Sequence, residues 1–248
     1  MDNHDDHIQT PDDATSESPS AIAVVRPPRW VVPTAGIPIL AVVIAGYIAG
    51  ASWPELIKSN PLLLIALSPI NRYLLLTTNS LEALPYFGVG LLRHLFPDPF
   101  FYLLGYWYGP RALRWAGENY PVVKRLLGED GRGLEAPNTR RLLIPLAFLA
   151  PNNWVSLVSG AARIPWQLFI ALNISGTIAR LWLCRWLGTL FEDEIRSFAD
   201  WVARYQLPVT LVSVGIVVAT IAVQVRRGSG DLVGLTHLGD EMEPTQDD

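Results

Sequence analysis

The sequence predicts an all-α polytopic membrane protein with two opposed re-entrant helical hairpins that form an inverted repeat. Three observations support this fold class. Half of the 248 residues are hydrophobic. Two uncharged apolar runs, Val31–Ala51 and Leu207–Val225, reach the length of about 20 residues that a helix needs to cross a hydrocarbon core of ~30 Å. Two further apolar runs are interrupted in the middle by proline and asparagine, so neither is expected to cross as one straight helix.

The longer interrupted run is RLLIPLAFLAPNNWVSLVSGAARIP, residues 141–165, which is broken at Pro151, Asn152 and Asn153. Roughly ten apolar-rich residues stand on each side of the break, about half of what a crossing requires. We therefore expect a half-crossing that turns back. Irregular backbone at membrane depth needs protein or water to satisfy its N–H and C=O groups, so other helices must pack around this break.

The second interrupted run, NPLLLIALSPINRYLLLTTNS at residues 60–80, has the same layout 82 positions earlier in the chain. Pro69 and Asn71 correspond to Pro151 and Asn153. Chance similarity between two apolar runs is the alternative explanation. Paired, interrupted apolar segments are nevertheless typical of inverted-repeat transporters, whose binding site lies near the middle of the bilayer.

The distribution of charge divides the chain into a basic body and two acidic ends. Of the 23 acidic residues, six lie in 1–25 and six in 228–248, which leaves 11 against all 19 Lys and Arg in 26–227. We expect residues 1–30 and 228–248 to be disordered acidic tails, and residues 31–227 to form the transmembrane domain. The apolar runs make anionic lipid headgroups, and not nucleic acid, the expected partner of the basic body.

The remaining segments follow from their length and polarity. The predicted elements are a first span at Val31–Ala51, a polar turn at 52–59, a span across 81–108, an amphipathic helix and a loop in 109–140, a span at Trp166–Phe191, an interfacial helix at 192–204 and a last span at Leu207–Val225. A cleaved signal peptide is the alternative for the first run, although this run begins far from Met1. The positive-inside rule puts both tails in the cytoplasm. We expect a multi-pass protein of the cell inner (plasma) membrane.

Short motifs in the body resemble the DedA, or VTT-domain (SNARE-associated), family. They are DPFFYLLGYWYG, with Asp98, Tyr102, Gly105 and Gly109; FLAPNN, with Phe148 and Pro151; and SGAARIP followed by Phe169, with Gly160, Arg163 and Pro165. Their order and spacing over residues 60–190 resemble a divergent member of the family. The resemblance implies two facing re-entrant hairpins and a role in transport or lipid translocation.

Two departures from the family pattern affect what the resemblance implies. The proton-coupled transporters proposed in the family carry an acidic residue in the first hairpin, where this chain has Arg72. They also carry arginines around the proline of the second hairpin, where this chain has Ala147, Asn152, Asn153 and Trp154. The resemblance therefore implies the fold and the transport or lipid-translocating role, and it leaves proton coupling open.

Asp98 is the first candidate for a functional residue, because a carboxylate at membrane depth must be paired, protonated or hydrated. A cap or turn at a helix end is the alternative role. His94 stands four residues earlier, one helical turn away, so the two side chains are candidates for charge coupling. Pro97 lies between them and would disturb that turn.

Four further residues are candidates for binding an anionic substrate. Arg72 adjoins the first break, where its guanidinium suits an anionic headgroup; an ion pair with Asp98 or Glu82 is the alternative. Asn71 and Asn153 would add amide donors or cap the broken backbone. Arg163 is expected to meet lipid phosphate at the inner surface or to act as a positive-inside anchor.

Two more arginines fall inside the span at 166–191. Arg180 and Arg185 lie close in sequence to Trp182 and Trp186. We expect these arginines to extend to the outer interface within an aromatic belt.

These features predict a transporter or a lipid flippase or scramblase-like protein that moves an anionic lipid or small solute and supports membrane homeostasis. A non-transporting scaffold that recruits partners through its basic face and tails is the alternative. We expect neither an enzyme nor a bound cofactor or metal, because the sequence offers no nucleophile–base constellation and no metal-ligand spacing. Assembly into a homo-oligomer stays open, as does the substrate.

Overall fold

A computed structural model describes residues 31–109, 113, 117, 124–125, 137–149 and 152–227. All regular elements in these ranges are helices, which confirms the predicted all-α class for this part of the chain. The helices are α1 (Val31–Ser59), α2 (Pro61–Leu67), α3 (Asn71–Thr77), α4 (Ala83–Leu95), α5 (Asp98–Tyr108), α6 (Pro137–Leu149), α7 (Asn153–Ala161), α8 (Trp166–Leu190), α9 (Glu192–Arg204) and α10 (Gln206–Arg227), with a short 3₁₀ helix at Thr78–Ser80. The predicted acidic tails, most of the 109–140 segment and Pro151 lie outside the described residues.

Within the described ranges, three helices are long and apolar enough to cross a membrane. They cover Pro33–Ser59, Trp166–Leu190 and Gln206–Arg226, with 27, 25 and 21 residues. Their apolar side chains point largely outward, as in α10, where Leu207 is 78% exposed and Leu211 is 72% exposed. Such an apolar surface indicates a membrane protein. The particular membrane and the orientation of the chain in it stay predictions.

The predicted polar turn at 52–59 is wrong, because α1 continues through this segment to Ser59. Tertiary contacts hold the end of the helix in place. The Trp53 indole donates to the Ser213 hydroxyl on α10 at 2.9 Å, and Lys58 pairs with Asp200 on α9. The hydrogen bond from Lys58 lowers the pKa of the exposed Asp200 carboxyl. These partners lie far away in the sequence, so local polarity alone misidentified the segment.

The predicted single span across 81–108 is also wrong, because the segment forms two helices. Helix α4 ends at Leu95, and α5 begins at Asp98. Pro97 causes the break, since it has no N–H to donate and its ring clashes with a preceding carbonyl in a continuing helix. Pro99 falls in the first turn of α5, where proline is tolerated.

Both predicted interruptions are present. Helix α2 ends at Leu67, Ser68 is extended with φ −154°, and α3 starts at Asn71. In the second pair, α6 ends at Leu149 and α7 starts after Asn152, which is extended with φ −149°. Each helix of either pair is at most 13 residues long, or about 20 Å at ~1.5 Å per residue, and so is shorter than a crossing. A re-entrant path and an inverted repeat stay predictions.

Helices α5 and α7 are in close backbone contact beside the second break. A Cβ added to Gly105 on α5 would overlap the carbonyl oxygen of Leu157 on α7, and one added to Gly160 on α7 would overlap that of Tyr102. Small residues permit this backbone contact, as they do between helices in membranes.

The predicted helix at 192–204 is confirmed as α9.

Candidate functional site

A polar cavity of about 270 Å³ touches both helix breaks. Its walls come from the first break, the second break, the junction of α4 with α5, and single residues of α1 and α8. The lining residues are Ser68, Pro69, Ile70, Asn152, Asn153, Arg93, His94, Pro97, Asp98, Val42 and Arg180. Asp98, His94 and Asn153, which were candidates from the sequence, therefore share one cavity.

Asp98 is the most enclosed charged group of this cavity, with 3% of its surface exposed. Its Oδ1 accepts a hydrogen bond from the Ser156 hydroxyl on α7 at 2.8 Å, and its Oδ2 accepts one from the Asn173 amide on α8, also at 2.8 Å. Both donors are neutral, so they satisfy the carboxylate oxygens without cancelling a negative charge. Asp98 also opens α5, where the helix dipole favours an anion. It is therefore more than a turn residue, because it ties three helices together.

Arg93 donates hydrogen bonds to backbone carbonyls at the first break, a role that the sequence did not suggest. Its Nε donates to the carbonyl oxygen of Ala66 and its Nη2 to that of Leu67, both at 2.8 Å. These carbonyls belong to the last turn of α2, where the helix no longer supplies partners. A cation in an apolar stretch after a broken helix was the available signal, since an ionisable group at depth must find such partners.

Arg180 points to the cavity, so the prediction that it extends to the outer interface is wrong. Its Nε donates to Asn71 Oδ1 on α3 at 2.6 Å, and its Nη1 lies 2.9 Å from His94 Nε2 on α4. A guanidinium only donates hydrogen bonds, so Arg180 can donate to His94 only through an unprotonated Nε2. Trp182 is 60% exposed. It follows Arg180 by two residues, or about 200° around the helix, so the two side chains face different sides of α8.

The same prediction is wrong for Arg185. Its Nη1 approaches the carbonyl oxygens of Thr78 and Leu81, at 3.4 and 3.3 Å. Its guanidinium also lies over the ring of Tyr86, 5.2 Å from the centroid. Arg185 thus supports the backbone after α3 and does not extend outward.

Neither predicted asparagine caps its break. Asn71 and Asn153 are the first residues of α3 and α7, so the cap positions belong to Ile70 and Asn152. The Asn152 side chain accepts from the Asn153 amide at 2.7 Å. Asn71 instead accepts from Arg180, while Asn153 lines the cavity directly.

Arg72 is absent from the lining of the cavity. It is exposed, donates to the Tyr73 hydroxyl at 2.8 Å and lies 4.6 Å from the centroid of the Tyr73 ring. Successive residues in a helix point about 100° apart, so Arg72 and Asn71 face different directions. Its role in anion binding stays a prediction that the cavity geometry does not support.

Arg163 also lies away from this cavity. It borders a separate groove beside α5 and α8, where its guanidinium is 4.0 Å from the centroid of the Tyr106 ring. Its backbone is left-handed, with φ +54°.

Comparisons of the chain with protein-family models, with curated proteins and with solved structures found no match. The resemblance to the DedA family therefore stays a prediction. The described residues define a helical chain with three candidate membrane spans and a polar cavity at two helix breaks.

Proposed function

We propose that this protein is an integral membrane transporter, or a lipid flippase or scramblase-like protein, that moves an anionic headgroup or small anionic solute through the cavity at the helix breaks. In this proposal α2–α3 and α6–α7 are opposed re-entrant hairpins, and the chain is a divergent member of the DedA family. The basic body faces anionic lipid, and both tails lie in the cytoplasm.

The charge of the cavity is the observation that supports this function. Arg93 and Arg180 stand against a single carboxylate, Asp98, among its described lining residues. Arg93 is engaged by backbone carbonyls. Arg180 uses two of its five N–H groups on neutral partners, so the others could bind the oxygens of an anion. An anion is therefore the charge that this cavity suits best.

The same contacts suggest how binding would move the protein. Arg180 on α8 connects Asn71 of α3 with His94 of α4. An anion that competes for the guanidinium would loosen these contacts and free the first break to shift against α8. Asp98 would oppose the anion from the α5 side and favour its release. Alternating exposure of the cavity would follow from such a shift.

Translocation by the full-length protein in liposomes tests this proposal. A fluorescent headgroup-labelled phosphatidylglycerol in the inner leaflet becomes accessible to an impermeant reductant only after it crosses. We expect Arg180→Gln to remove most of the protein-dependent signal, and the matched variant Arg72→Gln to retain it. Wild-type flux in Arg180→Gln and in Asp98→Asn would exclude the cavity as the path. Loss of flux in Arg72→Gln alone would restore the site predicted from the sequence.

A further inference from the structure

We infer that the protein has a second, lateral site for one anionic phospholipid, in the groove between α5 and the start of α8. The groove has a volume of about 680 Å³ and shares no lining residue with the cavity at the helix breaks. This inference goes beyond the proposed transport path, because it concerns a lipid that is retained at the side of the protein.

The groove lies where a lipid headgroup would meet the protein. Helix α8 begins at Trp166 and is one of the three candidate spans, so Arg163 stands three residues before a membrane crossing. Trp166 is 53% exposed at that end, as expected for an aromatic side chain at the membrane interface. From there the groove follows α5 from Trp107 to Phe100, a distance of roughly 10 Å along the helix.

The charge at this end matches a phosphate. Arg163 is the one charged residue among the described residues that line the groove. Its guanidinium carbon lies over the Tyr106 ring, and a guanidinium in such a contact can still donate its N–H groups to phosphate oxygens. Asp98 is adjacent to Pro99 in sequence, but its carboxylate is bonded to Ser156 and Asn173 and lines the other cavity.

The rest of the groove suits acyl chains. Phe100, Leu103 and Phe169 contribute apolar surface to it. Tyr102 stacks on Phe169 with a centroid separation of 4.8 Å, and its hydroxyl is occupied by the carbonyl oxygen of Ile164 at 2.6 Å. An apolar wall below a single cation is complementary to an anionic glycerophospholipid, with the cation at the headgroup and the wall along the acyl chains.

The backbone at Arg163 provides a second, independent observation. Helix α7 ends in a Schellman motif, in which Arg163 N–H donates to Gly160 and Ile164 N–H donates to Ser159. Glycine is usual at the left-handed position of this motif, whereas here an arginine has φ +54°. A costly conformation occupied by a cation at the mouth of a groove points to a use for the side chain. It also means that Arg163→Gly removes the cation while it suits the backbone.

Native mass spectrometry of the full-length protein in detergent, titrated with phosphatidylglycerol or phosphatidylcholine, tests the site. We expect the wild type to retain one phosphatidylglycerol in preference to phosphatidylcholine. Arg163→Gly should lower that preference about tenfold, as expected for loss of a charge-assisted hydrogen bond, without lowering the melting temperature. Arg226→Gln removes an exposed cation at the end of α10 and should leave the preference unchanged. Loss of the preference in Arg180→Gln but not in Arg163→Gly would place the retained lipid in the cavity at the helix breaks and overturn the inference.

Other outcomes would overturn the inference. Equal losses in Arg163→Gly and Arg226→Gln would indicate diffuse attraction to basic surface. Equal retention of both lipids by the wild type would indicate an adventitious apolar groove. Dissociation of a dimer in Arg163→Gly would indicate that a second copy of the chain covers the groove.

A second variant tests the apolar part of the site. Leu103→Trp, which fills the groove below an intact Arg163, should reduce retention of both lipids.

Discussion

Arg180 and Asn71 are 109 residues apart in the sequence and are joined by a hydrogen bond of 2.6 Å from the guanidinium Nε to the amide oxygen. The bond ties the first residue of α3 to the middle of α8. It also leaves part of the guanidinium directed at the cavity that both helix breaks line. Three helices therefore meet at one cation, because His94 of α4 is its other partner.

This geometry predicts different effects for two substitutions at Arg180. Lysine keeps the charge but presents a point ammonium in place of a planar fork, so it cannot reproduce both contacts and still bind an anion bidentately. We expect Arg180→Lys to lower translocation of labelled phosphatidylglycerol several-fold, and Arg180→Gln to lower it by about tenfold or more, since each charge-assisted hydrogen bond contributes ~1.5–3 kcal/mol. A wild-type rate in Arg180→Lys would show that charge alone matters.

A second prediction concerns the donors around Asp98. Asn173→Leu leaves one oxygen of a buried carboxylate without its donor, so it should lower the free energy of unfolding by about 1–3 kcal/mol. The loss should be smaller in an Asp98→Asn background, because a neutral amide costs less to bury than a carboxylate. Equilibrium unfolding in detergent of the wild type, both single variants and the double variant measures this coupling. Additive losses would show that the two side chains act separately.

Arg93 gives a third prediction, about the integrity of the first break. Arg93→Met removes the donors to the carbonyls of Ala66 and Leu67 and leaves both oxygens without them. We expect a loss of about 2–3 kcal/mol in the free energy of unfolding, with faster hydrogen exchange confined first to α2 and α3. Arg72→Met is the matched control, and as a change to an exposed side chain it should cost less than about 1 kcal/mol. Equal effects would mean that Arg93 does not support the break.

Helix packing at the second break leads to a fourth prediction. Alanine at Gly105 or Gly160 would place a methyl group against the backbone of the facing helix, so α5 and α7 must separate. We expect each substitution to cost about 1–3 kcal/mol of stability or more. Gly88→Ala is the control, because nothing lies within 4 Å of a Cβ there. A melting temperature unchanged in all three variants would contradict the backbone contact.

The sequence located the breaks but not the partners of the residues around them. Proline and asparagine within apolar runs are local signals that indicate where a helix ends. Three of the residues singled out in the sequence, Asp98, His94 and Asn153, line one cavity. The roles of Arg93 and Arg180 depend on how helices are rotated against each other, which local patterns do not encode. A displacement of one residue turns a side chain by about 100°, enough to separate Arg72 from Asn71.

Length was a second source of error. The apolar character of 81–108 suggested one span, although its prolines divide it into α4 and α5. The polarity of 52–59 suggested a turn, although contacts with α9 and α10 keep it helical. In both cases a single residue or a distant partner outweighed the average composition of the segment.

A last prediction tests whether the cavity is wet while the outer surface faces lipid. Ile70 is 38% exposed and lines the cavity, whereas Leu211 on α10 is 72% exposed but lies on an apolar span. In a Cys184→Ser background we expect Ile70→Cys to react with an impermeant thiol reagent at least about tenfold faster than Leu211→Cys, because only a hydrated thiol forms the reactive thiolate. The rate of labelling in intact liposomes, followed by mass spectrometry, measures the difference. Faster labelling of Leu211→Cys would place α10 in water and end the membrane interpretation, while no labelling of Ile70→Cys would show that the cavity is dry and remove it as a path for an anion.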